Sequence, residues 1–192
     1  MDTIYKSDTK RVFLTFDDGP SPVTSKILDI LKQENVKATF FILGSNVDSR
    51  KDVVKRMYEE GHYLANHGYS HTYSKIYSSP QSVLDEYNEC NDKVKNAIEV
   101  PDYNSHLFRF PGGLAGGKYA EIKKEAKELL LQNNIVNVDW NALTGDAETN
   151  NLSVEFEMTR LTETMESKNS LVILMHDAAA KSVTADALPQ II

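Results

Sequence analysis

The chain has 192 residues, of which 41% are hydrophobic and 26% charged, with a net charge of −7. That length supports one domain over residues 1–192 with a core that needs no disulfide or metal for bulk stability. No apolar run approaches the ~20 residues that span a bilayer, and lysines and arginines occur singly or in pairs such as Lys123-Lys124, which excludes a transmembrane helix and electrostatic capture of nucleic acid.

A neutral or cationic substrate fits the acidic balance better. Cys90 is the sole cysteine, so neither an intramolecular disulfide nor a cysteine-based metal site is expected. Met1-Asp2-Thr3-Ile4-Tyr5-Lys6 lacks the basic-then-apolar pattern of a leader segment, so location has to be argued from chemistry.

In chain order, residues 12–16 read as a strand ending in Asp17-Asp18-Gly19-Pro20. Adjacent strand residues face opposite ways, but Gly19-Pro20 turns the chain, so both carboxylates can reach one site. The plainer alternative is a turn whose acids satisfy backbone donors. Ser21-Pro22 offers an N-cap and a first-turn proline for a helix carrying Ile27, Leu28, Ile30 and Leu31. A strand over 38–43, a helix over 52–60 closed by Gly61, and a strand over 63–66 follow.

Next stands His67-Gly68-Tyr69-Ser70-His71. Its imidazoles are spaced as on one face of a helical turn, which suits a shared metal ion. Ser79-Pro80 repeats the capping pattern before Val83, Leu84, Tyr87, Cys90, Val94 and Ile98. A strand over 107–110 brings Arg109 and leads into Pro111-Gly112-Gly113, where glycines let backbone approach a ligand. A helix over 119–132, a strand over 135–138 ending in Asp139-Trp140, a helix over 154–166 and a strand over 171–175 ending in His176 complete the pattern. Trp140 reads equally as core or as a ligand platform, whereas a histidine closing so apolar a run suits a general acid better than packing.

Six strands alternating with helices predict a parallel α/β fold, either doubly wound or a barrel. Five strand ends carry polar residues, and carboxyl ends of parallel strands share one face, which favours the barrel. Two histidines and one carboxylate form a three-ligand set with an open position. Asp17 or Asp18 supplies the oxygen, and the other acid remains as a base.

Together these motifs resemble the polysaccharide deacetylase family, the NodB-homology domain of carbohydrate esterase family four, from about Arg11 to the C-terminus. Thr15-Phe16-Asp17-Asp18-Gly19 is similar to the first family motif, which implies Asp17 as catalytic base and Asp18 as metal ligand. His67-Gly68-Tyr69-Ser70-His71 is similar to the second, which supplies both metal histidines, with Gly68 where Ser or Thr is common.

Arg109-Phe110-Pro111-Gly112 resembles the third, whose arginine pairs with the catalytic aspartate and whose following residues bind the acetyl group. Phe110 and Gly112 depart there from the stricter Arg-Pro-Pro-Tyr form. Asp139-Trp140 and Leu174-Met175-His176 resemble the fourth and fifth. They imply Asp139 as the residue orienting His176, Trp140 and Leu174 as walls of the acetyl pocket, and His176 as general acid.

The resemblance implies a distorted (β/α)7 TIM-like barrel and one divalent ion, zinc before cobalt, nickel or another. It further implies a monomer that removes acetyl groups from an N-acetylated polysaccharide at the cell envelope or outside the cell. Peptidoglycan N-acetylglucosamine is the first choice, ahead of chitin oligomers and acetylxylan. It also implies a truncated C-terminus, since family members continue past a segment like 187–192. Two rival readings are a phosphoryl-transfer protein, for which the phosphoacceptor aspartate and late lysine of a receiver are missing, and a metal-containing glycan-binding pseudoenzyme, against which Asp17 and His176 both argue.

Overall fold

The computed structural model describes the backbone of residues 2–192 and the side chains from Ile4 onward. Its strands are β1 (Arg11–Asp17), β2 (Thr39–Ile42), β3 (Tyr63–Asn66), β4 (Leu107–Phe108), β5 (Val136–Asn137), β6 (Ala142–Leu143) and β7 (Ser170–His176). The helices are α1 (Asp2–Tyr5), α2 (Pro22–Gln33), α3 (Gly44–Val47), α4 (Lys51–Glu59), α5 (Tyr73–Ile76), α6 (Pro80–Ile98), α7 (Ala120–Gln132), α8 (Val154–Met165) and α9 (Ser182–Ile191).

The two serine caps form as the sequence predicts. Ser21 Oγ accepts from Val23 N while Thr24 Oγ1 accepts from Ser21 N, and Ser79 Oγ accepts from Ser82 N. Gly61, at φ +79°, stops the chain past α4 in a conformation that costs other residues more. Among the described residues no helix is long and apolar enough to cross a membrane.

All seven strands pair in parallel, in the order β5-β4-β3-β2-β1-β7-β6. The edges of that order, β5 and β6, are consecutive in the chain and separated only by residues 138–141. Five residue steps span at most about 18 Å. A flat sheet would hold its outer strands about 29 Å apart, six spacings of roughly 4.8 Å. The sheet must therefore curl to bring its edges within that reach, which gives a distorted (β/α)7 barrel.

This corrects the count of six strands. The missed one, β6, has two residues, too few for any periodicity to show. Likewise β4 stops at Phe108, so Arg109 and Phe110 already leave the ladder.

Leu14, Phe16, Phe40, Ile42 and Met175 face the helices in the largest apolar cluster, with Ile27, Leu28 and Leu31 of α2 packed on them. A second cluster joins α6 and α7 through Tyr77, Val83, Tyr87, Phe108, Phe110 and Leu130. Inside the barrel lies a smaller group, Phe41, Ala65, Val138 and Val172. Above it the lumen holds a charged residue, Arg109, and there the site begins.

Candidate active site

Side chains two apart on a strand share a face. Thr15 and Asp17 therefore both enter the lumen from β1, and their partners in register on β7, Leu174 and His176, enter beside them. Asp18 follows the strand at φ +77°, and this left-handed turn brings its carboxylate round to the mouth that Asp17 occupies. The Asp-Asp pair converges through this one residue. Gly19 leaves no room for a side chain, because a Cβ there would lie 2.0 Å from Asp177 Oδ2.

The histidine pair does not sit on a helical turn, contrary to the reading from spacing. Residues 67–71 are a loop beyond β3, bent by positive φ at Gly68 (+83°) and His71 (+53°). Glu86 of α6 holds it, accepting from the backbone N–H groups of Tyr69 and Ser70 at 2.7 and 2.6 Å and from the Ser70 hydroxyl at 2.6 Å. Gly68 suits the left-handed turn at φ +83°, and a Cβ there would press on the movable end of the Ile76 side chain, 2.9 Å from Cδ1.

Asp18, His67 and His71 each offer a ligand atom, all within 4.8 Å of one another. Both histidine Nε2 atoms lie 3.5 Å from Asp18 Oδ1, a buried oxygen with no hydrogen-bond partner among the described residues. His67 Nδ1 is 2.7 Å from the Arg109 carbonyl, which makes Nδ1 the donor and leaves the Nε2 lone pair directed at Asp18. Burial pushes the His67 pKa down to about 3, so the ring is neutral. An orphaned carboxylate oxygen facing two imidazole lone pairs fits a divalent cation.

Arg109 crosses the lumen, fully buried, with its guanidinium 3.9 Å above the Phe41 ring. Its Nε donates to Val138 O at 2.9 Å, one terminal nitrogen to Thr15 Oγ1 and Asp17 Oδ1 at 2.8 Å each, and the other to Asp139 O at 3.0 Å. These bonds tie β1 to the seam beside β5. Burial pushes the Asp17 carboxyl up, opposed by the charges of Arg109 and His176. A raised carboxylate is a stronger base, and Asp17 Oδ2 lies free of Arg109, 3.8 Å from His67 Nε2.

His176 takes its carboxylate partner from Asp146. Its Nδ1 is 2.8 Å from Asp146 Oδ1, and its backbone N–H donates to Asp146 Oδ2 at 2.7 Å. Asp139 does not fill the orienting role that the resemblance implied. Its Oδ2 accepts from Leu114 N at 3.2 Å and its carbonyl holds Arg109. The reason is topological: Asp146 follows β6, next to β7, whereas Asp139 follows β5 across the seam. The missed strand hid the missed residue.

Phe110 is a second correction. It is fully buried against Tyr77 and Phe108 in the core shared by α6 and α7, and has no surface to offer a ligand. Pro111 is buried too, its carbonyl accepting from the Tyr77 hydroxyl at 2.7 Å. Gly112 is exposed at φ +73°, and its N–H has no acceptor among the described residues. The turn is pinned by buried Lys123, whose Nζ donates to Gly113 O at 2.6 Å. Trp140 packs over Gly113, where a Cβ would meet the indole at 3.0 Å.

These features define a class, a distorted α/β barrel with its acids, histidines and a candidate metal centre gathered at one mouth. The family model for polysaccharide deacetylases matches residues 5–132, which include Asp17, Asp18, His67, His71 and Arg109. The Bacillus subtilis protein YheN, whose name places it among polysaccharide deacetylases, is 36% identical over 95% of this chain and 62% of its own length. A Bacillus cereus peptidoglycan-N-acetylglucosamine deacetylase is 33% identical over 93% of this chain and 63% of its own.

Among solved structures, a Streptococcus mutans CE4 esterase superposes with a TM-score of 0.89 at 35% identity, covering 99% of this chain and 84% of that one. The chain belongs to the polysaccharide deacetylase family, carbohydrate esterase family four. It spans less than two thirds of the length of these curated relatives.

Proposed function

We propose that this chain hydrolyses the acetamide of N-acetylglucosamine residues in peptidoglycan, releasing acetate and leaving a free amine on the sugar, with a divalent ion, zinc in first place, held by Asp18, His67 and His71. The observation that carries the reading is Asp17: a buried carboxylate with one oxygen fixed by Arg109 and the other open beside the Asp18-His67-His71 cradle. Bound there, a divalent ion supplies Lewis acidity to the attacking water and to the acetamide carbonyl.

The chain's own groups do the rest. Asp17 Oδ2 takes the proton from water, and Arg109 keeps the carboxylate in place as it does so. The proposed donor to the carbonyl oxygen as it gains charge is the Gly112 N–H, which has no acceptor among the described residues, a donor of the kind worth about 3 kcal/mol in hydrolases. Because Asp146 holds Nδ1, His176 presents its Nε2 proton to the departing amine. Burial alone would lower the His176 pKa, but the hydrogen bond and charge of Asp146, with Asp17 and Asp18 behind it, push it up to about 9. The ring is therefore cationic at neutral pH, as a general acid must be.

Relatives named as peptidoglycan-N-acetylglucosamine deacetylases support this substrate and an envelope or extracellular setting, while a relative named chitooligosaccharide deacetylase keeps chitin oligomers as the alternative. The test measures acetate released from peptidoglycan and from N-acetylglucosamine oligomers, with chelator, with added zinc or cobalt, and for Asp17→Asn. Chelation and Asp17→Asn should each abolish release, while Asp17→Asn still binds metal by elemental analysis and His67→Ala does not. Undiminished release from metal-free protein would sink the mechanism.

A further inference from the structure

A groove of about 420 Å³ adjoins the candidate metal centre, lined by Asp18 and His71 and also by Asn46, Ser49 and Arg50. Arg50 is the one residue with a permanent positive charge among those that line it. The other four arginines of the chain all have partners: Arg11 bonds Ser170, Arg56 bonds Glu60 and Asp29, Arg109 bonds Asp17, and Arg160 bonds Glu148 and Glu163.

Arg50 has no hydrogen bond or ion pair from its side chain to any described residue, in a chain with 28 acidic residues against 21 basic ones. The nearby acid Asp48 is already occupied by Lys51 and Lys93. An arginine left unpaired and half-buried in so acidic a chain, at the edge of a groove of ligand-binding size, has the chemistry of an anion subsite.

We propose that Arg50 forms a carboxylate-binding subsite one step out from the metal centre, so that the groove takes a glycan bearing a carboxylate beside the N-acetylated sugar. The planar guanidinium fork matches a carboxylate through two parallel hydrogen bonds, and partial burial weakens the competition from water. This local cation offsets the repulsion that the overall charge of −7 would otherwise impose on an anionic polymer. The inference rests on the deacetylase reading of the adjoining site and narrows its substrate to acidic glycans, of which neutral chitin is not one. Two sources supply the carboxylate in peptidoglycan, the sugar's own lactyl acid and the peptide stem.

The test compares peptidoglycan strands freed of peptide, strands with peptides intact, and each after conversion of carboxylates to methylamides. The readout is the ratio of kcat/KM for the carboxylate form over the amidated form, in the metal-loaded wild type, Arg50→Gln and Arg50→Lys. The wild-type ratio should be about tenfold, carried mainly by KM, falling to about one in Arg50→Gln and only partly in Arg50→Lys. A preference confined to peptide-free strands assigns the lactyl acid, and one confined to intact strands assigns the stem.

An equal ratio in wild type and Arg50→Gln overturns the proposal. Calorimetric binding of the same strands, measured with and without Arg50→Gln in the metal-loaded Asp17→Asn protein, separates the two readings. Loss of acetate release from every substrate, with the binding ratio intact, would remove the deacetylase reading and leave the subsite standing. Turnover with no carboxylate preference would do the reverse.

Discussion

Asp146 holds His176 through both of its oxygens, Oδ1 at 2.8 Å from the ring Nδ1 and Oδ2 at 2.7 Å from the backbone N–H. The carboxylate is itself buried and accepts a further bond from the Thr184 hydroxyl at 3.1 Å, so it is fixed before it fixes the imidazole. Asp146→Asn should retain the shape of this contact and lose its charge. With burial then unopposed by the charge of Asp146, the His176 pKa falls from about 9 toward or below its ordinary value. The alkaline limb of the kcat/KM profile should move down by about two pH units, and kcat at pH 8 should drop by roughly tenfold.

The same pair contributes to stability with a definite sign. Since the folded pKa of His176 is raised, its stabilisation is fully present below about 6.5 and is lost as pH rises through about 9. Thermal unfolding midpoints of wild type and Asp146→Asn, measured from pH 6 to 10, should differ most at the acidic end and converge at the alkaline end. A constant difference across the range would show that charge plays no part in the contact.

Glu86 touches neither proposed ligand, yet it gathers the backbone of the loop between them. Replacing it by alanine frees two amides and a hydroxyl and lets His71 drift from Asp18. Zinc affinity, measured by competition with a chromophoric chelator, should fall 10- to 100-fold, about the usual effect of losing an outer-shell partner. Activity should return in excess metal, which a general folding defect would not allow.

Arg109→Met leaves Asp17 buried without its counter-charge and removes the bonds that tie β1 to the chain beyond β5. Breaking one partner of a buried pair costs about 3–5 kcal/mol. Denaturant titration should show that loss. In the double variant with Asp17→Asn the neutral amide should recover part of the stability and none of the acetate release.

Gly19→Ala places a methyl 2.0 Å from the Asp177 carboxylate, itself held by Thr24 Oγ1 at 2.5 Å. One wall of that contact is a buried acid with little room to move. Overpacking of this kind costs about 1–3 kcal/mol, read as a lower unfolding midpoint. The added Asp177→Ala change should restore part of the midpoint by making room.

Much of the architecture was legible because burial imposes a period. Residues 171–175 are buried on both faces and read as an unbroken apolar run, 12–16, 38–43 and 63–66 are mostly apolar and largely buried, and the caps at Ser21 and Ser79 carry their own local signature. The polar residues at strand ends were equally visible, since Asp17, His67, Arg109 and His176 each interrupt or follow such a run. Illegible were β6, with only two residues, and Asp146 behind it, whose nearest apolar signal is that same short strand. Phe110 was misplaced because a large aromatic beside a glycine turn looks the same from sequence whether it faces the groove or the core.

By itself, then, the sequence determined which residues could do chemistry and that they gather at carboxyl ends of parallel strands, because hydrophobic period and residue type are local properties. Tertiary structure decided the pairings that no motif carried: Glu86 with the 67–71 loop, and Asp146 rather than Asp139 with His176. A pairing between residues far apart in the chain depends on how far the sheet curls and on which strands lie side by side. The chain crosses from β5 to β6 in a few residues because the sheet curls. The pairing of β6 with β7 makes Asp146, and not the earlier acid, the neighbour of His176.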